Sequence, residues 1–332
     1  MEESTVFRHG KRAPSGTYRN DPFKNNSYWG GVDYGYLVNE GKVQMYNLGK
    51  WLRKRYKSFL PERYNNRDFI VYSSQVDRCL MSAAACAAGM FPPTDDDELW
   101  NRELRWQPIP VHAKTDDMIF QRIHCPRYSR MLREVWKGEE FSEVNRKNAE
   151  FYAYVSQMAG DKLRMLFGIL MVQSAFDVPF PEWVNKSFDK MHRLARLEMV
   201  SHTYTPELTR LRLGPLVDAM INSFEAILEG SDNAHKFMFW SAHEGTLVNI
   251  LNGMRIYDYH WPEFGATMLV ELRKDDKRDV FINMLFKNST KLSRLALNEC
   301  GFACEYGRFK DLLAGMRMTM EEWERECFDG GR

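Results

Sequence analysis

The stretch Val6-Phe7-Arg8-His9-Gly10-Lys11-Arg12-Ala13-Pro14 decides how this chain is read. Val6 and Phe7 favour extended backbone, and the run stops at once in a cationic loop closed by a proline. In an open α/β sheet, a short apolar strand of this kind delivers its last residues to the carboxyl edge, where ligands bind. Two guanidiniums, Arg8 and Arg12, flank one imidazole, His9. Planar guanidinium forks match pairs of phosphate oxygens, so the grouping suits a phosphoryl ligand. Gly10 is expected to let the backbone turn sharply beside that ligand, and Pro14 to keep the loop from becoming helical. An isolated Arg-His-Gly triplet fits a basic surface turn equally well; the full spacing behind a strand makes the reading specific.

Two more apolar runs end the same way. Asp68-Phe69-Ile70-Val71-Tyr72-Ser73-Ser74 leads to Asp77-Arg78, and an alanine-rich helix is predicted over 79–90, stopped by Phe91-Pro92-Pro93. Arg78 then sits at a strand-to-helix junction, where free backbone N–H groups favour anions. Lys236-Phe237-Met238-Phe239-Trp240-Ser241-Ala242 leads to His243-Glu244, with a helix over 247–251. Parallel strands share a carboxyl edge, so a parallel α/β sheet would gather Arg8, His9, Arg12, Arg78, His243 and Glu244 at one crevice. Any one of these alone reads as an exposed arginine or a core histidine; three strand ends of this kind together do not.

Outward from these points the chain alternates helix and strand patterns. A helix over 39–60 would bury Leu48, Trp51, Leu52, Tyr56 and Phe59, leaving Lys50, Arg53, Lys54, Arg55 and Lys57 on a solvated face. Residues 106–112 are proline-punctuated and extended, 151–171 read as helical, and 206–229 as one helix or two broken at Gly214-Pro215. Residues 266–272 and 280–286 flank Lys274-Asp275-Asp276-Lys277 as an antiparallel hairpin. The strand before Arg8 looks short, and Glu2-Glu3 reads as an acidic start left by trimming of an upstream leader.

The 332 residues carry a formal net charge of +1 with 44% hydrophobic and 14% aromatic content, the profile of a folded globular protein. Nucleic-acid binding, which calls for a basic excess, is not expected, nor is a transmembrane segment. His112, His124, His192, His202, His235 and His260 lack metal-ligand spacing, so no metal and no cofactor are expected. Of six cysteines, Cys79 and Cys86 lie seven apart on one helix, too far for a mutual disulfide, and read as core thiols. Cys300 and Cys304 could close a small loop; Cys125 and Cys327 lack local partners. Asn25, Asn185 and Asn288 stand in glycosylation triplets, and together with the even cysteine count they lean toward an oxidising compartment. The first five residues are not a signal peptide, so the chain is either a processed form or a cytosolic protein as written.

Arg8-His9-Gly10-x-Arg12-x-Pro14, Val76-Asp77-Arg78 and Ser241-Ala242-His243-Glu244 resemble, in turn, the nucleophile motif, the third-arginine segment and the carboxyl-side motif of the histidine acid phosphatases. Residues 106–112 and Lys54-Arg55-Tyr56 resemble the animal prostatic and lysosomal branch. The resemblance implies a phosphoglycerate mutase-like three-layer αβα sandwich with a mainly parallel sheet: a catalytic core from 1–95 and 206–332, and a helical cap from 96–205. It also implies Cys125–Cys327 and Cys300–Cys304 disulfides, a secreted or lysosomal location and homodimers formed through a region like 106–112. In that family's chemistry His9 would take the phosphoryl group, Arg8, Arg12, Arg78 and His243 would bind its oxygens, and Glu244 would donate the proton. Small phosphate monoesters are the implied substrates, with phosphoproteins, lysophospholipids and phytate as alternatives, and a phosphoryl-binding protein without turnover as the rival reading. Three departures stand out: Glu244 where many members have Asp, Lys11 in place of an acid, and no threonine within Leu37-Val38-Asn39-Glu40-Gly41.

Overall fold

The computed structural model describes residues 2–114, 119, 124–160 and 166–328. Among these a mixed sheet of eight strands forms the middle layer. Its parallel part, in the order β3-β2-β4-β1, consists of β1 (Glu2–Arg8), β2 (Phe69–Ser74), β3 (His112–Lys114) and β4 (Phe237–Ala242). Beyond β1 the sheet turns antiparallel through β5 (Thr267–Lys274), β6 (Val280–Asn288) and β7 (Lys291–Leu295), and β8 (Ala303–Glu305) also pairs with β6. β5 and β6 are the expected hairpin. The parallel core carries the strand ends singled out above, while the antiparallel side is wider than that hairpin.

Residues alternate across the strands, and both faces are apolar. Val6, Trp240 and Met268 face one layer of helices: α8 (Pro206–Leu228), α9 (Glu244–Gly253) and α10 (Tyr306–Leu313). Phe7, Phe239 and Leu269 face the other, α1 (Asn39–Arg55) and α2 (Asp77–Met90). Strands buried on both sides are typical of parallel sheets, and every residue of β4 is buried. Between β3 and α8 come α3 (Pro126–Lys137), α4 (Glu139–Lys147), α5 (Ala149–Ala159), α6 (Leu166–Gln173) and α7 (Glu182–Ser201). Val155, Leu170, Val184 and Met191 form a separate apolar cluster there, packed on Tyr18 and Trp261. Cys125, at the start of α3, is bonded to Cys327 in α11 (Met320–Phe328), and Cys300 to Cys304. Cys79 and Cys86 are free and buried.

Several boundaries differ from the sequence reading, for identifiable reasons. α1 stops at Arg55 rather than at residue 60: Tyr56 leaves the helical region at φ −105°, ψ 20°, and Phe59 and Leu60 fold back in a turn onto its carbonyl before Pro61. The helical stretch read over 151–171 is two helices: Gly160 takes φ +70° and ends α5, while residues 161–165 lie outside the described residues. The helix at the end of β4 begins at Glu244, three residues earlier than read, because the Thr246 hydroxyl accepts the His243 backbone N–H at 3.3 Å. α8 runs unbroken through Pro215. A proline there cannot supply the N–H that the Leu211 carbonyl would accept; the Trp323 indole N–H supplies it at 2.8 Å. The strand before Arg8 is not short either: it begins at Glu2, and both Glu2 and Glu3 are buried within it.

Candidate active site

The register of the parallel strands brings their ends level. Phe7 lies opposite Ser241, Arg8 opposite Ala242, and Ser73 opposite Ser241 on the other side. One step on, the His9 backbone N–H donates to the Ala242 carbonyl at 3.0 Å. His9, His243, the arginines and Glu244 therefore meet at one edge.

His9 is fully buried, with its Nδ1 2.9 Å from the Gly10 carbonyl oxygen. A carbonyl only accepts, so Nδ1 carries the hydrogen and Nε2 presents a lone pair. Among the described residues, Nε2 has no hydrogen-bond partner. Burial first, then Arg12, Arg8 and Arg78, hold the imidazole well below the usual histidine range, so it stays neutral in acid.

Arg8 is anchored by Nη1 to the Pro262 carbonyl at 2.7 Å, and its guanidinium lies 4.0 Å over the Phe264 ring. Its Nε is 3.2 Å from Glu244 Oε2. Arg12 donates from Nη1 to the Ala13 carbonyl at 2.9 Å, and burial brings it to about 10, still a cation at the pH of any biological fluid. Arg78 enters from the first turn of α2 and places Nη2 3.4 Å from His243 Nδ1. The His9 and His243 rings are 5.5 Å apart, edge to face. Burial and Arg78 bring His243 down to about 3. Glu244 sits in the first turn of α9 with its side chain 23% exposed. Burial pushes its carboxyl up, but Arg8 and Arg12 together pull harder and bring it to about 2. A buried lone pair on nitrogen, cations around it and a carboxyl at the rim can bind a phosphoryl group, attack it and move a proton.

Gly10 does not make the sharp turn expected of it, since it is absent from the glycines with positive φ. It serves a close approach: a Cβ there would meet the Gly41 carbonyl oxygen of α1. Its N–H donates to Ser82 Oγ at 3.0 Å, which ties the loop to α2. A pocket of about 510 Å³ opens beside Arg8, lined by Lys11, Glu40, Gln44, Met171, Trp261 and Phe264 among others. Lys11 lies 4.2 Å over the Phe176 ring. Phe264, Trp261, Gln44 and Ser74 were not assigned a role from sequence. Ser74 stands at the end of β2, whereas Phe264 lies in a loop held by long-range contacts, from Arg8 to the Pro262 carbonyl and from Gln44 to the Phe264 carbonyl, which residue order does not show. Among the described residues no cluster of His, Cys, Asp and Glu could hold a metal ion. Of the glycosylation candidates, Asn185 is exposed on α7, Asn25 caps a short 3₁₀ turn, and Asn288 Oδ1 accepts the Glu263 N–H at 2.9 Å.

Residues 4–287 match the family model for the histidine phosphatase superfamily (branch 2). The chain belongs to that family. It is 32% identical over 340 residues to prostatic acid phosphatase of Homo sapiens, covering 97% of this chain and 86% of that protein. To lysosomal acid phosphatase of Homo sapiens it is 29% identical over 340 residues, covering 97% and 78%. The chain is thus a histidine acid phosphatase of the animal prostatic and lysosomal branch. Among solved structures, the apo form of Hafnia alvei phytase superposes with a TM-score of 0.70 at 14% identity, covering 96% of each chain. At that identity the likeness concerns the fold.

Proposed function

We propose that this histidine acid phosphatase hydrolyses small phosphate monoesters through a phosphohistidine on His9, with Glu244 as proton donor. His9 Nε2 attacks phosphorus, the bond from phosphorus to the ester oxygen breaks, and that oxygen takes the Glu244 proton. Water then loses a proton to the Glu244 carboxylate and attacks phosphorus, the P–N bond breaks, and phosphate leaves. Arg8, Arg12, Arg78 and His243 hold the non-bridging oxygens as charge redistributes. The observation that carries this reading is the His9 imidazole itself: Nδ1 pinned to the Gly10 carbonyl, Nε2 unpartnered and walled by cations.

The pocket lining bears on substrate choice. Beyond Arg8 its described wall has one cation, Lys11, two carboxylates, Glu40 and Glu263, and the apolar surfaces of Met171, Trp261 and Phe264. Phytate carries six phosphates and would call for a strongly cationic wall. This lining suits an ester with a single phosphate on a partly apolar alcohol or phenol, a class that includes phosphotyrosyl proteins and lysophospholipids. The helices α3–α7 are inferred to act as the cap. The disulfides and the branch favour a secreted or lysosomal site. A homodimer is inferred through the region of residues 106–112, where Trp106 is 37% exposed.

Turnover of p-nitrophenyl phosphate separates an enzyme from a binding protein. The native chain is expected to release nitrophenolate catalytically, and His9→Ala to bind phosphate without turnover. Saturable binding with no product from the native chain would sink the proposal.

A further inference from the structure

We propose that Ser74 is a positioning residue for this reaction: backed by Cys79, it holds His243 in the tautomer that carries its hydrogen on Nε2 and keeps Nδ1 for the phosphoryl group. The inference rests on the reading of His243 as a phosphate ligand.

The direction of each hydrogen bond follows from what its partners can do. Arg78 Nη2 lies 3.4 Å from His243 Nδ1, and a guanidinium only donates, so Nδ1 brings a lone pair. A neutral imidazole then carries its hydrogen on Nε2, which lies 3.1 Å from Ser74 Oγ. Ser74 is buried, and the Cys79 sulfur lies 3.6 Å from the same His243 Nε2. Cys79 Sγ in turn lies 3.5 Å from the Ala242 carbonyl, to which a thiol can only donate. The directions agree: guanidinium to imidazole, imidazole to hydroxyl, and, beside them, thiol to backbone carbonyl.

Among the described residues, the titratable and charged groups facing His243 include Arg8 and His9 from β1 and its end, Arg12 from the loop, Arg78 and Cys79 from α2, and Glu244 from α9. Burial and the three arginines outweigh the opposing pull of Glu244 and keep His243 neutral. The opposite tautomer would aim an N–H at the Arg78 guanidinium. When phosphoryl oxygens draw that guanidinium away, the Nδ1 lone pair faces an anion, and the favourable outcome is uptake of a proton on Nδ1. Nε2 donates to Ser74 before and after this change, so the ring need not turn over. Without the hydroxyl, the buried N–H keeps only the Cys79 sulfur, 3.6 Å away and a weak acceptor, and the ring loses its orientation.

The test compares Ser74→Ala, Ser74→Thr and the native full chain on p-nitrophenyl phosphate across the acidic pH range, with thermal melts as a control for folding. Ser74→Ala is expected to lower kcat on the order of tenfold and displace the pH profile, with a smaller change in KM; Ser74→Thr is expected to restore both. Nitrogen NMR of the native chain is expected to find the free-site His243 protonated on Nε2. A native pH profile and kcat in a well-folded Ser74→Ala variant, or an Nδ1-protonated His243, would overturn the proposal and leave the phosphohistidine reading intact. Turnover by His9→Ala would instead strike at that reading.

Discussion

At the scale of single residues, Glu244 is where opposing influences nearly balance. Burial raises its pKa, Arg8 and Arg12 lower it, and the arginines win, leaving it at about 2. An ionised carboxylate cannot donate a proton. A bound phosphoryl group offsets the arginine charge, and burial, the largest single influence, then favours the protonated acid. On the proposed mechanism the substrate itself would arm the donor, and kcat is then expected to fall as pH rises through the pKa of the complex. Glu244→Gln should lose about 10²–10⁴-fold in kcat on alkyl phosphates, far less on p-nitrophenyl phosphate, and should flatten that alkaline limb. A uniform loss across leaving groups would contradict the donor role. His9, Arg8, Arg12, Arg78, His243 and Glu244 were all legible in the sequence, because each follows an apolar strand within a few residues. The tautomers of His9 and His243 were not: they depend on where the Gly10 carbonyl, the Arg78 guanidinium and the Ser74 hydroxyl end up, and residue order does not state that.

At the scale of elements, α1 and α2 pack backbone against backbone. A Cβ on Gly49 would run into the Cys86 carbonyl oxygen, and one on Gly89 into that of Tyr46. Gly41 meets Lys11 in the same way, so α1 seats both the cationic loop and the helix that presents Arg78. Gly49→Ala should cost about 1–3 kcal/mol or more, because the clashing atoms are backbone and cannot rotate aside. It should also raise KM by displacing Arg78. Denaturant melts and steady-state kinetics check this; a native KM and stability would show that the crossing can loosen freely. Apolar periodicity identified Leu48 and Leu52 as buried in α1 but was silent on its glycines, which contribute by what they lack. β7 was missed because Lys291, Leu292 and Arg294 are exposed and leave little alternation to read.

At the scale of the whole molecule, buried titratable groups set the pH range in which the fold is most stable. Burial pushes Glu2 up to about 8 and Glu3, beside Glu271, well above its ordinary value of 4.5. A raised carboxyl keeps its proton in the folded protein where the unfolded chain has lost it. Its stabilisation is full below the unfolded pKa and is lost as pH rises toward the folded one. His9 and His243 act oppositely: their folded pKa values are depressed, so their contribution is present above about 6.5 and is lost as pH falls. Between about 4.5 and 6.5 the two effects oppose each other; above that range only the carboxyls titrate. From neutral toward pH 8, Glu2 alone should remove about 1 kcal/mol, or roughly 1–2 °C in Tm. Thermal melts should register this fall and find it reduced in Glu2→Gln; a Tm that rises over that interval would contradict the account. The burial of Glu2 and Glu3 was not legible from their charge; it follows from the pairing of β1 between β4 and β5.

The central claim is that phosphorus becomes bonded to His9 Nε2 during turnover. Rapid acid-free denaturation of the enzyme at work on a labelled phosphate monoester, followed by peptide mapping, tests it most directly. The account predicts label on the peptide containing His9, stable to alkali and lost in acid, and absent from His9→Ala. Turnover with no phosphorylated peptide, or label on another residue, would contradict it.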